Sequence, residues 1–216
     1  MWRDTLHFIP QLLPATGKTI VYTCTTMAIA LVAGLLVALA RRSGRWYVTL
    51  PFSIYVEVIR GTPLLLQIFY IFYVLPNVGI RLSAPVAGIT ALSLNYAAYL
   101  SEVYRSGLDA VDPGQGEAAA ALGMRRRTAM QTVILPQAVR IVIPPLGNYF
   151  VALFKDTALL STIAVLELMF SAQVTAAQTF NYLPIYTAAL ILYFVISYPA
   201  ALGVRYLERR LTPKSR

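Results

Sequence analysis

Apolar stretches close to 20 residues long recur along this chain, and no other feature restricts its fold as severely. Each is about long enough to cross a hydrocarbon core of roughly 30 Å as a helix. Only 12% of the residues are charged and 58% are hydrophobic, where an ordinary soluble domain is roughly 25% charged. A soluble domain is excluded. The expected fold is all-α, a polytopic membrane protein of about five transmembrane helices forming a single domain over residues 1–216.

The first expected span runs from Lys18 to Ala40 and ends at Arg41, Arg42 and Arg45. Its small residues Ala30, Gly34 and Ala38 fall four apart, which suits close helix packing in lipid. A second apolar region, Leu50 to Val78, is interrupted by Glu57, Arg60, Gly61 and Pro63. It reads as a short helix, a break, then a span. The remaining spans are expected over Pro85–Gly107, Ala138–Lys155 and Leu183–Leu207, with short helices at the far membrane face between Thr157 and Tyr182. The amino terminus has no short apolar core ending in a small-residue cleavage site, so the first run is read as a retained span.

The net charge is +9, from 18 Lys and Arg against 9 Asp and Glu. In a membrane protein such an excess sets orientation rather than nucleic-acid binding. If five spans alternate, 13 basic residues near span ends fall on one side and only Arg3, Lys18 and Arg81 on the other. The amino terminus is therefore expected outside and the carboxyl terminus in the cytoplasm. One Cys and one His, Cys24 and His7, cannot build a disulfide framework or a zinc site within the chain. Gly17-Lys18-Thr19 looks like the end of a phosphate-binding loop, but Leu12 stands where the required Gly belongs and no strand precedes it.

The segment from Gly107 to Pro136 is the most informative. Asp112 as N-cap, Pro113 at the first helical position and Gln115 three residues after the cap make a helix start. Gly123 supplies the left-handed residue that stops it. A short Ala-rich helix in a cytoplasmic loop results, with the low profile of Ala118 to Ala121 suited to a partner's groove, and a second helix is expected from Arg125 to Leu135. An ordinary surface hairpin fits the same pattern.

Particular residues then point to a family. Glu117-Ala118-Ala119, Gly123 and Leu135-Pro136 resemble the EAA loop of ABC importer permeases, with Val133 where Ile is usual. Arg60-Gly61-Thr62-Pro63-Leu64-Leu65, Leu94-Asn95-Tyr96-Ala97-Ala98-Tyr99, Gly114-Gln115-Gly116-Glu117-Ala118-Ala119 and Lys155-Asp156-Thr157-Ala158-Leu159 narrow the similarity to the polar amino acid permeases, with Ala158 where Ser is common. The similarity covers about residues 15–205.

The resemblance implies a transmembrane permease subunit of a type I ATP-driven importer for a polar or charged amino acid, a transport subunit rather than an enzyme. It would lie in the cell inner membrane among lipid, pair with a second identical or similar permease, dock two cytoplasmic ABC ATPase subunits, and receive substrate from an extracytoplasmic amino-acid-binding protein. No cofactor would bind this chain; ATP and Mg would sit in the partner ATPase. The resemblance assigns coupling to Glu117, Ala118, Ala119, Gly123 and Met124 within a loop over 112–136, and a gate or structural break to Arg60, Gly61, Thr62 and Pro63.

A substrate path is expected on span three. At 100° per residue Asn95, Tyr99, Glu102 and Ser106 share a face, with Arg105 beside them, and charges at membrane depth usually face a bundle interior or an aqueous cavity. Asp156, Thr157 and Glu167 are further candidates. Glu102 and Arg105, three apart, fit simple mutual pairing as well. A second function class stays open: a self-sufficient ion-coupled secondary amino acid transporter working through Glu57, Glu102, Asp156 and Glu167. An intramembrane hydrolase lacks a nucleophile with a His or Lys partner.

Overall fold

The computed structural model describes residues 2–211, with side chains from Asp4 onward. Lys214 and Arg216 of the orientation count lie outside the described residues, as does the side chain of Arg3. Helices account for nearly all of the rest.

Helix α1 covers Trp2–Arg41, about 60 Å at 1.5 Å per residue, and so begins 16 residues before the expected Lys18. The polar residues that lower hydropathy there do not interrupt the helix. Thr16, Thr19 and Thr23 donate their hydroxyls to the carbonyls of Leu12, Ala15 and Thr19, satisfying themselves within the rod. Gly17-Lys18-Thr19 is thus ordinary helix, and the Thr19 hydroxyl also accepts the Leu168 N–H at 3.1 Å. The small-residue spacing acts as expected. Ala30 and Ala38 are buried, and a Cβ on Gly34 would lie 3.0 Å from the Ala97 carbonyl oxygen and from Leu100 Cβ, so α1 and α4 approach to backbone contact.

Helix α2 spans Trp46–Arg60. After a break at Gly61–Pro63, helix α3 (Leu64–Phe69) continues through a π turn, Tyr70–Val74, and a 3-10 turn, Leu75–Val78. The two halves are bent by 111°. Helix α4, Ala84–Asp109, occupies the centre. Its buried residues Ala87, Ala91, Leu92, Tyr96 and Leu100 pack with Met27, Ile68, Leu153 and Leu160. Its buried polar residues Ser93, Asn95 and Ser101 face protein rather than lipid.

Helix α5 covers Pro113–Ala121. Helix α6 (Arg126–Ala129), a π turn (Met130–Ile134) and helix α7 (Leu135–Asp156) follow end to end. Here the expectation of two helices is corrected: Arg126 to Asp156 is one continuous rod. Pro136 lacks an N–H and its ring collides with the preceding turn; the wider π turn just before it absorbs both defects. The π turn before Pro76 is the same device.

A 3-10 segment, Thr157–Ile163, leads to helix α8 (Leu168–Thr179) and helix α9 (Tyr182–Leu211). Among the described residues α1, the rod from Arg126 to Ile163 and α9 are each long and apolar enough to cross a membrane, and the bent pair α2 with Leu64–Val78 passes jointly. With the 26-residue α4, about 39 Å long, the expected number of about five is approximate. A second apolar cluster joins Phe8 and Leu12 of α1 to α8 and α9 through Leu168, Ala172 and Ile185.

Candidate functional site

Two assemblies stand out, one at the α5 loop and one on the polar face of α4. In the first, Asp112 Oδ1 accepts the Gly114 N–H at 2.7 Å and Pro113 opens α5. Gly123 ends it at φ +72°. Its N–H donates to the Ala120 carbonyl at 2.9 Å, and the Met124 N–H to the Ala119 carbonyl at 3.0 Å, the paired bonds of a Schellman stop. Gln115 differs from its expected capping role: its side-chain oxygen accepts from Gln137 Nε2 at 3.2 Å, tying α5 to α7. Ala119 and Ala129 are buried and fix the hairpin to the body. Glu117, Ala118 and Gly123 are exposed, Met124 is half-buried, and Leu122 stands 81% exposed at the helix end. Leu122 thus stands bare beside small residues at the end of a capped helix.

On α4, Glu102 is approached by three guanidinium groups. Arg41 of α1 is ion-paired with Oε1; Arg105 donates to Oε2 at 2.7 Å and Arg60 lies 4.0 Å from Oε2. Two turns on, Asp109 takes Arg42 at 3.0 Å and Arg105 at 3.1 Å. Four arginines thus share two carboxylates, leaving an excess of positive charge at this end of α1, α2 and α4. Arg60 lies 5.7 Å above the Tyr99 ring, and Tyr99 packs on Tyr149 of α7 with centroids 5.9 Å apart. Tyr149 also meets Tyr96 edge to face, and the Tyr96 hydroxyl donates to Asp156 Oδ2 at 2.7 Å. Arg60, Tyr99, Glu102, Arg105 and Asp156 are therefore linked through one aromatic and ionic chain.

The other expected path residues have local tasks. Asn95 is buried and donates to Gln67 Oε1 at 2.9 Å; Gln67 Nε2 in turn donates to the Ile59 and Thr62 carbonyls and the Thr62 hydroxyl. This network clamps the Gly61–Pro63 break against α4, so Asn95 belongs with the break. Thr157 is fully buried with its hydroxyl donating to the Phe154 carbonyl. Glu167, equally buried, is the N-cap of α8, accepting the Met169 and Phe170 N–H groups at 2.9 and 2.7 Å and the Tyr193 hydroxyl at 2.7 Å. Sequence reasoning missed Gln67, Arg41 and Tyr149. A lone Gln in the apolar run Leu64–Phe72 was the available signal, since an amide in lipid requires partners.

Comparison with known proteins places this architecture. Residues 30–213 match the family model described as binding-protein-dependent transport system inner membrane component. The chain belongs to this family. It is 41% identical over 209 residues to the L-cystine transport system permease protein of Bacillus subtilis, covering 94% of this chain and 88% of that protein. It is 34% identical over 212 residues to the glutamine transport system permease protein of Escherichia coli, covering 97% of each. The crystal structure of an amino acid ABC transporter with histidines superposes with a TM-score of 0.92 at 36% identity, covering 97% of this chain and 98% of that one. The chain is an ABC importer permease, a multi-pass inner-membrane component of a transport system rather than an enzyme. A family of this kind works with an ATPase and a binding protein.

Proposed function

We propose that this permease carries a polar or charged amino acid inward, with residues 112–136 as the loop through which a cytoplasmic ATPase drives it. The observation that carries this reading is the capped α5 helix, which leaves Glu117 and Ala118 of the EAA signature exposed along its length and Leu122 bare at its end. The Asp112 cap and the Gly123 stop make that helix a rigid lever, and the Gln115–Gln137 bond transmits its movement to α7. ATP and Mg bind in the ATPase; this chain converts docking into rearrangement of its helices. The amino terminus lies outside and the carboxyl terminus in the cytoplasm. A second permease, identical or similar, completes the pathway, since one such bundle encloses a poor cavity alone. A binding protein of the extracytoplasmic side supplies the substrate.

Amino acid cargo is supported by the names of the relatives and by the charge on the polar face. A zwitterion needs a cation for its carboxylate and an acid or aromatic face for its ammonium. Arg60 and Arg105, with Glu102, Tyr99 and Asp156, present both. Of the four carboxylates an ion-coupled transporter would use, Glu102 is engaged by arginines, Asp156 by Tyr96 and Glu167 as a cap, while Glu57 is exposed on α2. No observation favours that alternative.

The test of the coupling loop is Leu122→Cys crosslinking to the ATPase subunit in membranes. A crosslink that forms, and that a disordered-helix variant such as Ala119→Pro loses, supports the assignment. Absence of any crosslink while uptake remains ATP-driven refutes it. For the path, Arg105→Ala uptake should fall by the equivalent of roughly 2 to 5 kcal/mol if the guanidinium grips the carboxylate in a largely dry site. Normal uptake at limiting substrate removes Arg105 from the site.

A further inference from the structure

On the side of α4 away from its polar face, an apolar groove of about 390 Å³ opens between the Arg41 end of α1 and the start of α7. Leu35 and Leu39 of α1, Tyr104 and Leu108 of α4, and Leu135 and Val139 of α7 line it. At 100° per residue Tyr104 and Leu108 point roughly 150° to 170° away from the Asn95–Tyr99–Glu102 face. If that polar face looks into the pathway, the groove looks out into the bilayer. Its walls expose Leu39 at 55%, Val139 at 46% and Leu135 at 44%.

A second cavity of about 130 Å³ adjoins the groove: Leu108 lines both, and the wall of the second includes Ile134, next in sequence to Leu135 of the groove. This smaller chamber is bounded by Arg42, Asp112, Pro113 and Gly116, and so sits at the base of the coupling helix. Of its acidic neighbours, Asp112 spends Oδ1 on the Gly114 N–H and Asp109 on Arg42 and Arg105. Arg42 remains 44% exposed beside that pair, and Arg45 and the run Arg125–Arg127 are exposed on the links at either side. An apolar groove thus lies next to a chamber with basic residues around it.

We propose that the groove is a binding site for an anionic phospholipid, one acyl chain lying along Leu39, Tyr104 and Val139 and the headgroup phosphate meeting Arg42 beneath α5. Charge complementarity selects this occupant: an uncharged apolar partner accounts for the groove alone, whereas an amphiphile with a negative head accounts for the groove and for the adjoining chamber beside Arg42. The anionic head is favoured because basic residues near a membrane surface attract such lipids. Bound there, the lipid touches α1, α4, α7 and the coupling helix together, and becomes a structural part of the lever. This inference goes beyond the proposed function but rests on its membrane placement.

The test uses the permease assembled with its ATPase in lipid nanodiscs. Val139→Trp serves as the only tryptophan, in a background of Trp2→Phe and Trp46→Phe, with Leu39→Trp as a second reporter should the first disturb assembly. Leu190→Trp on α9, where Leu190 is 68% exposed, reports ordinary lipid contact. Fluorescence is quenched by phosphatidylglycerol brominated on its acyl chains in unlabelled phosphatidylcholine, and by the reverse pairing. Phosphatidylglycerol should quench the groove reporter with about fivefold tighter apparent affinity, Arg42→Gln should erase that difference, and Leu190→Trp should show none. Equal quenching by both lipids at the groove makes it ordinary annular contact and overturns the proposal. No quenching at the groove while Leu190→Trp is quenched means that protein, such as the second permease copy, covers it, and also overturns the proposal. No quenching at Leu190→Trp overturns the membrane placement itself.

Discussion

Gly123 separates a conformational role from a packing role more cleanly than any other residue of the coupling loop. A Cβ added there meets nothing within 4 Å, so substitution creates no clash. Its φ of +72° is the whole obstacle, costing an L-residue about 1 to 2 kcal/mol and more when it is β-branched. At 1.4 kcal/mol per tenfold that is about 5- to 30-fold in the population of the capped conformation. If the strain is relieved by opening the Schellman turn, affinity for the ATPase falls by up to the same factor. Gly123→Val should therefore weaken ATPase binding and substrate-stimulated ATP hydrolysis while membrane insertion and detergent stability stay near wild type. Gly123→Asn should lose roughly threefold or less, because Asn tolerates the left-handed region. Titration of purified ATPase against the permease in nanodiscs measures both. Val binding like wild type, or Asn as weak as Val, refutes the reasoning.

Other expectations follow from the same structure. Gly107→Ala puts a Cβ 2.0 Å from Val142 Cγ2 and should lower stability by about 1 to 3 kcal/mol in thermal unfolding, whereas Gly116→Ala, with nothing within 4 Å, should be neutral or stabilising by up to about 1 kcal/mol; equal effects contradict the packing. Gln67→Leu should cost about 1 to 3 kcal/mol through orphaned acceptors at the break, and combining it with Asn95→Leu should cost less than the sum of the two; strict additivity rejects the shared network. Single cysteines at Ser83 and Thr128, in a background lacking Cys24, should label from opposite sides of the membrane, and same-side labelling contradicts the orientation.

The sequence carried the bounds of α5 because its signals are local: a cap, a proline and a glycine each act within four residues, while the tie of Gln115 to Gln137 spans 22 residues and had no such signal. The break at Gly61–Pro63 was legible for the same reason. The length of α1 was not, since Arg3, Asp4, His7 and Gln11 lower the hydropathy before Lys18 and Pro10 and Pro14 read as breaks, yet the helix runs through all of them. Nor was the continuity of α6 with α7, because Leu135-Pro136 reads locally as a helix boundary, whereas a π turn precedes Pro136 and the helix runs on. The path residues divided along a related line. A helical-wheel face gathers Asn95 with Glu102, but only three-dimensional contacts show Asn95 committed to Gln67 and Glu102 shared among Arg41, Arg60 and Arg105. Glu167 looked like a buried charge because the three donors that satisfy it are two backbone N–H groups and a Tyr 26 residues away.

The central claim, that this permease is driven by ATP through the 112–136 loop, is tested most directly by amino acid uptake into proteoliposomes holding the permease, its ATPase and the binding protein. Uptake should require ATP on the ATPase side, persist when ion gradients are collapsed, and stop when the ATPase is omitted. Uptake by the permease alone, driven by a proton or sodium gradient and indifferent to ATP, contradicts the account.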